Sequence, residues 1–334
     1  MSSEKFKYIP RRRPRLKMKE APQPKTLEDL IELGHKLELY SNINSVVLWK
    51  ITPYLEKLNN LVGLTNLKDS IFSQVIYYLQ DMHKRNNNEE YLHTLLMGKP
   101  GCGKTTVAKI IAKIYQNLGI LSVNGPFKVA YRDDFVAGYL GQTAAKTQKL
   151  LKSCIGGVLF IDEAYALGAG VNDKDSFSKE AIDTITSFLS EHAKDFCCIA
   201  AGYEDDIKKC FLGANSGLES RFQWQHYIDE YTSDNLADIF IKHVKNIRWD
   251  LCVSREELIN LIEDNSKLFS SYGRDIVNLI SKSKIAHARR VFCLQQKHKF
   301  ILIKEDILNG IKELEKHRGK NIFEEDRPPI GMYL

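Results

Sequence analysis

The sequence predicts an α/β fold: a three-layer domain around a five-stranded parallel sheet, followed by a lid of four helices. Three observations carry this. From Leu61 onward the chain alternates short apolar runs with amphipathic helical stretches, the mark of a parallel sheet covered on both faces. After Tyr231 the strand-like runs nearly stop and helical periodicity takes over. Between the first strand and the first long helix lies a glycine-rich loop, at the sheet edge where such folds collect ligands.

In chain order, residues 1–25 hold nine Lys/Arg against two Glu, a balance of +7 beside +6 for the whole chain. The body is therefore near neutral, and the basic character belongs to an arm around Arg11, Arg12, Arg13, Arg15, Lys17 and Lys19. With Pro10, Pro14, Pro22 and Pro24, that arm is expected to be disordered. Residues 26–58 read as a helical extension. Thr26 and Asp29 have capping-box spacing, and a second helix over 45–59 is expected to restart at Thr52-Pro53.

Residues 59–230 form the α/β domain, with strands expected over 93–97, 127–131, 157–161, 196–201 and 224–228 and helices between them, including one over 204–211. Residues 231–320 form the lid, with helices over 233–247, 254–268, 274–295 and 304–317. Residues 321–334, with Pro328-Pro329, read as an extended tail.

Composition excludes several classes. No apolar run approaches the roughly 18 residues of a membrane helix, and the N-terminus has no apolar stretch of a secretory signal. The seven cysteines form no CxxC pair, which points to free thiols in a reducing compartment, cytoplasm or nucleus, and against a zinc site.

Gly98-Lys99-Pro100-Gly101-Cys102-Gly103-Lys104-Thr105 fits GxxxxGK[ST] in full and sits between a strand and a long helix, the context of a P-loop nucleotide triphosphatase. The glycines let backbone N–H groups turn inward around phosphate oxygens, and the helix N-terminus adds its positive dipole end. Lys104 is a point charge for the β- and γ-phosphates, the Thr105 hydroxyl is a Mg²⁺ ligand, and Thr106 belongs to the same nucleotide-binding set. Val158-Leu159-Phe160-Ile161-Asp162-Glu163 is a buried strand that ends in two acids 58 residues past Lys104. Asp162 is expected to hold Mg²⁺, and Glu163 to orient and deprotonate the attacking water.

From about Leu61 to Leu314 the chain resembles AAA+ ATPases of the CbbX/SpoVK group, named for red-type rubisco activase and stage V sporulation protein K. The likeness runs through Leu61-Val62-Gly63-Leu64, the phosphate loop, Tyr131-Arg132-Asp133-Asp134 and Gly138-Tyr139-Leu140-Gly141-Gln142-Thr143. It continues through Gly156 to Tyr165, Lys179-Glu180-Ala181-Ile182-Asp183, Ala201-Gly202-Tyr203 and Ser220-Arg221-Phe222.

The resemblance implies that Val62 and Gly63 line the adenine pocket and that Tyr139, Leu140 and Gly141 form a loop facing a central pore. It also implies that Arg221 reaches a neighbour's γ-phosphate and that Arg274 ties lid angle to nucleotide state. The partner it implies for the chain is itself, in a hexameric ring. The sequence departs from the wider family at Ser216, Glu219 and Tyr203, the last where a polar residue is usual.

The function expected is hydrolysis of Mg-ATP to thread or remodel a client protein. The alternative is an ATPase acting on nucleic acid through the basic arm, against which stands the near-neutral body. Met332-Tyr333-Leu334 resembles the tail by which proteasomal ATPases dock into a partner ring, with packing against its own lid as the alternative.

Overall fold

The computed structural model describes residues 19–36, 38–84, 90–139, 141–168, 176–295 and 298–325. The chain opens with α1 (Leu27–His35), α2 (Ser45–Asn59) and α3 (Thr65–Leu79). The α/β part follows as β1 (Thr94–Met97), α4 (Lys104–Leu118), β2 (Phe127–Ala130), α5 (Arg132–Phe135), α6 (Thr143–Lys152) and β3 (Val158–Ile161). It is completed by α7 (Tyr165–Gly168), α8 (Ser176–Glu191), β4 (Cys197–Gly202), α9 (Glu204–Asp206), α10 (Ser216–Arg221) and β5 (Trp224–Tyr227).

The sheet order is β2-β3-β4-β1-β5, parallel throughout. β1, β3 and β4 are buried along their whole length, which is why they read as continuous apolar runs. β2 and β5, at the edges, leave Val129 and Tyr227 exposed. The strand order puts β1 and β3 on either side of β4, so the loops after β1, β3 and β4 share one rim.

One face of the sheet packs with α4, α3 and the N-terminal helices. Leu48, Ile51, Leu55 and Leu58 of α2 join Val107, Ile111 and Ile114 of α4 in a single apolar cluster. The other face packs α6 and α8 through Leu151, Ile182, Ile185 and Phe188. Thr26 caps α1 in the capping box its spacing implied.

Several expectations need correction. α2 runs through Pro53 without restarting. Thr52 is interior and donates its hydroxyl to the Leu48 carbonyl, 2.8 Å away, and burial of Leu48, Ile51 and Leu55 holds the helix together. The helix expected over 204–211 is α9 passing into a π-turn over Ile207–Phe211. All seven cysteines are free thiols, and no described helix is long and apolar enough to cross a membrane.

The lid comprises α11 (Ser233–Asn246), β6 (Asp250–Cys252), α12 (Arg255–Asp264), α13 (Tyr272–Val291), β7 (Ile301–Ile303) and α14 (Lys304–Glu325). The four helices are present, but β6 and β7 add a parallel two-stranded ribbon that helical periodicity did not suggest. α14 also continues to Glu325, past the expected start of the tail at 321. The lid has its own core, centred on Phe240, Leu258, Ile276, Leu279 and Ile307. A buried His287–Asp306 pair, 3.1 Å apart, with Arg290 at 2.9 Å, braces α13 against α14. The arm expected to be disordered over residues 1–25 is in part ordered: Lys19 bridges Tyr40 in parallel and Ala21 N–H donates to Asn42 Oδ1 at 2.8 Å, which fixes its last residues to the helical extension. The part of the arm before residue 19 and the Met332-Tyr333-Leu334 tail lie outside the described residues.

Candidate active site

The phosphate loop leaves β1 and enters α4. Gly98 N–H donates to the Gly202 carbonyl at 3.0 Å, which fixes the loop against the end of β4. Gly101 and Gly103 have φ of +70° and +93°, the left-handed region that glycine enters without steric cost. At Gly101 the need is sharper, because a Cβ there would lie 2.0 Å from the Ser271 carbonyl oxygen of the lid. The backbone N–H groups at the start of α4 have no helical partners and face the cleft. Lys104 Nζ donates to the carbonyls of Gly98 and Lys99, both at 2.8 Å, so the ammonium lies folded over its own loop.

β3 carries Asp162 and Glu163 to the same rim. Glu163 adopts φ +53°, left-handed for a side chain that disfavours it at about 1–2 kcal/mol. Its N–H donates to Asp162 Oδ1 at 3.2 Å, and its carbonyl accepts from Ala166 N–H at 2.8 Å. The strained turn projects the Glu163 carboxylate into solvent, while Asp162 stays half-buried.

These groups line one cleft of about 240 Å³: Pro100, Gly101, Gly103, Lys104, Thr105, Thr106, Asp162, Glu163 and Arg274, with Tyr165, Gly202 and Tyr203 completing the wall. A second, more apolar pocket of about 450 Å³ shares Gly101, Gly103, Thr106 and Arg274 with it. Val62, Leu64, Cys102, Val107 and Tyr231 line this pocket together with Ile239, His243 and Val277 of the lid. The two form a continuous groove between sheet rim and lid, polar at one end and apolar at the other.

Clasps hold that groove together. Lys99 pairs with Glu230 at 2.5 Å, and the Tyr272 hydroxyl donates to the other Glu230 oxygen at 2.9 Å. Hydrogen bonding from Lys99 and then Tyr272 holds the Glu230 carboxyl below its usual range. The Tyr231 hydroxyl donates to the Cys102 carbonyl at 3.1 Å, and burial pushes its phenol pKa well up. Tyr272, the first residue of α13, is itself at φ +44°.

Of the residues singled out from sequence, all but a few meet in the groove. Gly98 sits behind it, its carbonyl serving Lys104, and Gly63 shapes the turn beside Val62 at φ +63°. Arg221, at the end of α10, lines neither pocket of its own chain. Its Nε donates to Ser190 Oγ at 2.6 Å and its Nη1 to the Gly217 carbonyl at 2.5 Å. Tyr139 is 74% exposed on a turn closed by Gly141 at φ +78°, also away from the groove, and Leu140 lies outside the described residues.

Sequence reasoning missed Tyr231, Ile239, His243 and Val277 as wall residues. Ile239 and His243 stand four apart on α11, a spacing that reads as ordinary helix packing.

Comparison with known proteins agrees with this geometry. The family described as "ATPase family associated with various cellular activities (AAA)" matches residues 94–223. The cfxQ-like protein R730 of Acanthamoeba polyphaga mimivirus is 42% identical over 274 residues, 79% of this chain and 66% of that protein's length. Stage V sporulation protein K of Bacillus subtilis (strain 168) is 35% identical over 246 residues, 71% of this chain and 75% of that protein. Among solved structures, the FIGL-1 AAA domain in complex with ADP superposes with a TM-score of 0.57 at 13% identity, over 81% of this chain and 90% of that one, a likeness of fold.

Proposed function

This chain belongs to the AAA family of ATPases, in the group of CfxQ-like and stage V sporulation protein K proteins, and we propose that it hydrolyses Mg-ATP to remodel a partner protein. One observation carries the reading: a glycine loop, a lysine and a helix N-terminus face two carboxylates across a cleft that runs on into an apolar pocket.

In this reading the triphosphate lies along Gly101–Thr106 and the base enters the pocket beside Val62. Lys104 leaves the loop carbonyls for phosphate oxygens. Thr105 and Asp162 offer a hydroxyl and a carboxylate, the hard oxygens Mg²⁺ prefers. Among the described residues there is no cluster of three or more His, Cys, Asp or Glu to cage a metal, which suits an ion taking its remaining ligands from phosphate and water. Bound there, Mg²⁺ would neutralise phosphate charge. Glu163, exposed at the rim, accepts a proton from water as its oxygen adds to the γ-phosphorus and the bond to the β–γ bridging oxygen breaks, giving ADP and phosphate.

The ring is part of the same proposal. Arg221 then serves a neighbour's site, exchanging its contacts to Ser190 and Gly217 for phosphate. Tyr139, mounted on an exposed turn, grips extended client polypeptide by side-chain packing. No observation favours the nucleic-acid alternative.

One series of purified variants tests all of this. Lys104→Ala should lose nucleotide binding, whereas Glu163→Gln should keep it and lose about a hundredfold or more in turnover. Arg221→Ala subunits mixed into wild type should depress activity beyond dilution. Near-normal hydrolysis by both site variants would refute the site, and strict additivity in the mixing would refute the shared one.

A further inference from the structure

Two tyrosines in the polar end of the groove are unaccounted for by this chemistry. Tyr203 follows β4, Tyr165 opens α7 directly after Asp162-Glu163-Ala164, and their rings stack 5.6 Å apart at 29°. The packing is built into the backbone. Gly202 lies under the Tyr165 ring, and a Cβ there would come 2.9 Å from Tyr165 Cδ1, so β4 ends in glycine to admit it. Lys104 Nζ stands 5.6 Å from the centre of the Tyr203 ring. That is within cation–π range. The Tyr203 hydroxyl makes no hydrogen bond among the described residues.

The placement answers an electrostatic problem. Lys104 shares a narrow cleft with Asp162 and Glu163, yet among the described residues it pairs with neither. Opposite charges lining one cleft attract, so an ammonium that pairs with neither carboxylate needs other partners to hold it. Here it has two carbonyls on one side and a ring face nearby.

We propose that Tyr203, braced by Tyr165, is a positioning residue for Lys104. Its ring face seats the ammonium on the phosphate loop and keeps it from pairing with Asp162 and Glu163. The lysine is then available to phosphate and the carboxylates to their own tasks. The ring does this, and the hydroxyl does not. The inference rests on the ATPase reading above, since a seat for Lys104 matters only where Lys104 binds phosphate.

The test uses the full chain and measures ATP affinity, turnover and melting temperature. Tyr203→Phe should stay within about twofold of wild type in both affinity and turnover. Tyr203→Leu, of similar bulk without a π face, should weaken ATP binding about fivefold.

Phenylalanines carrying one, two and three ring fluorines at position 203 strip the π face stepwise at nearly constant shape. The ATP dissociation constant should climb with each fluorine at unchanged melting temperature. A flat fluorine series would overturn the seat, as would a Tyr203→Phe variant impaired as badly as Tyr203→Leu, which would hand the role to the hydroxyl. A wild-type chain that binds no ATP would overturn the parent reading, and the seat with it. Normal wild-type binding with a flat series would remove the seat alone.

Discussion

The polar end of the groove and its apolar end are assembled in different ways. The polar end comes from the tips of three neighbouring strands: Gly101 and Gly103 after β1 and Glu163 after β3, all three at positive φ, and Tyr203 after β4. The apolar end has no such local author. It forms where Val62, Val107 and Tyr231 meet Ile239, His243 and Val277 of the lid, residues as far as 215 positions apart in sequence. On the proposed reading, a rim of strand ends sets chemistry, and a seam between two cores sets how tightly a base is held. The first tolerates little change in geometry, while the second tolerates change in side chain as long as it stays apolar.

Gly101 belongs to both ends, so its replacement should have the largest effect. Gly101→Ala puts a left-handed φ and a Cβ 2.0 Å from the Ser271 carbonyl into one residue. The lid must swing away from the loop, and ATP affinity measured by calorimetry should fall more than about tenfold, with a lowered melting temperature. Unchanged affinity would mean that loop and lid are not coupled.

Val277→Asp probes the apolar end alone. Val277 is 43% exposed, so the fold should be spared, while a carboxylate beside the base should raise KM for ATP about tenfold with kcat within about twofold. A fall in kcat at constant KM would break the division between the ends.

The smallest effect is expected from Glu230→Gln, which weakens the clasp between loop and lid. The Glu230 carboxyl is held below its ordinary value of 4.5, so its contribution is complete above that value and is lost as pH falls through the lowered one. Wild type should melt slightly higher than Glu230→Gln at neutral pH, and the gap should close below pH 4.5. A gap that persisted in acid would show that the clasp works through packing.

The same contrast explains what could be read from sequence. β1, β3 and β4 are buried on both faces, so their apolar runs were plain and their ends differ by a residue from expectation. The convergence of Lys104, Thr105, Asp162 and Glu163 on one cleft was legible because contiguous residues determine the backbone that carries each of them. The ribbon β6–β7 was not, since three-residue strands separated by two helices are too short to show a period of two. Pro53 misled because local propensity yielded to burial of α2.

The Tyr165–Tyr203 stack and the Lys99–Glu230 clasp join residues 38 and 131 apart, and neither residue's neighbourhood in sequence signals its partner. Arg221 and Tyr139 remain expectations of another kind, since both lie away from the groove of their own chain.

The left-handed turn at Glu163 has a consequence for how this enzyme can be improved or degraded. Any library screened for heat resistance alone should enrich glycine at position 163, because glycine relaxes the φ of +53° that glutamate occupies under strain. The fittest survivors of such a screen would be the least active proteins in it. On the proposed chemistry, thermal ruggedness and turnover pull on one and the same peptide unit, and the melting temperature of Glu163→Gly set beside its ATPase rate would show it.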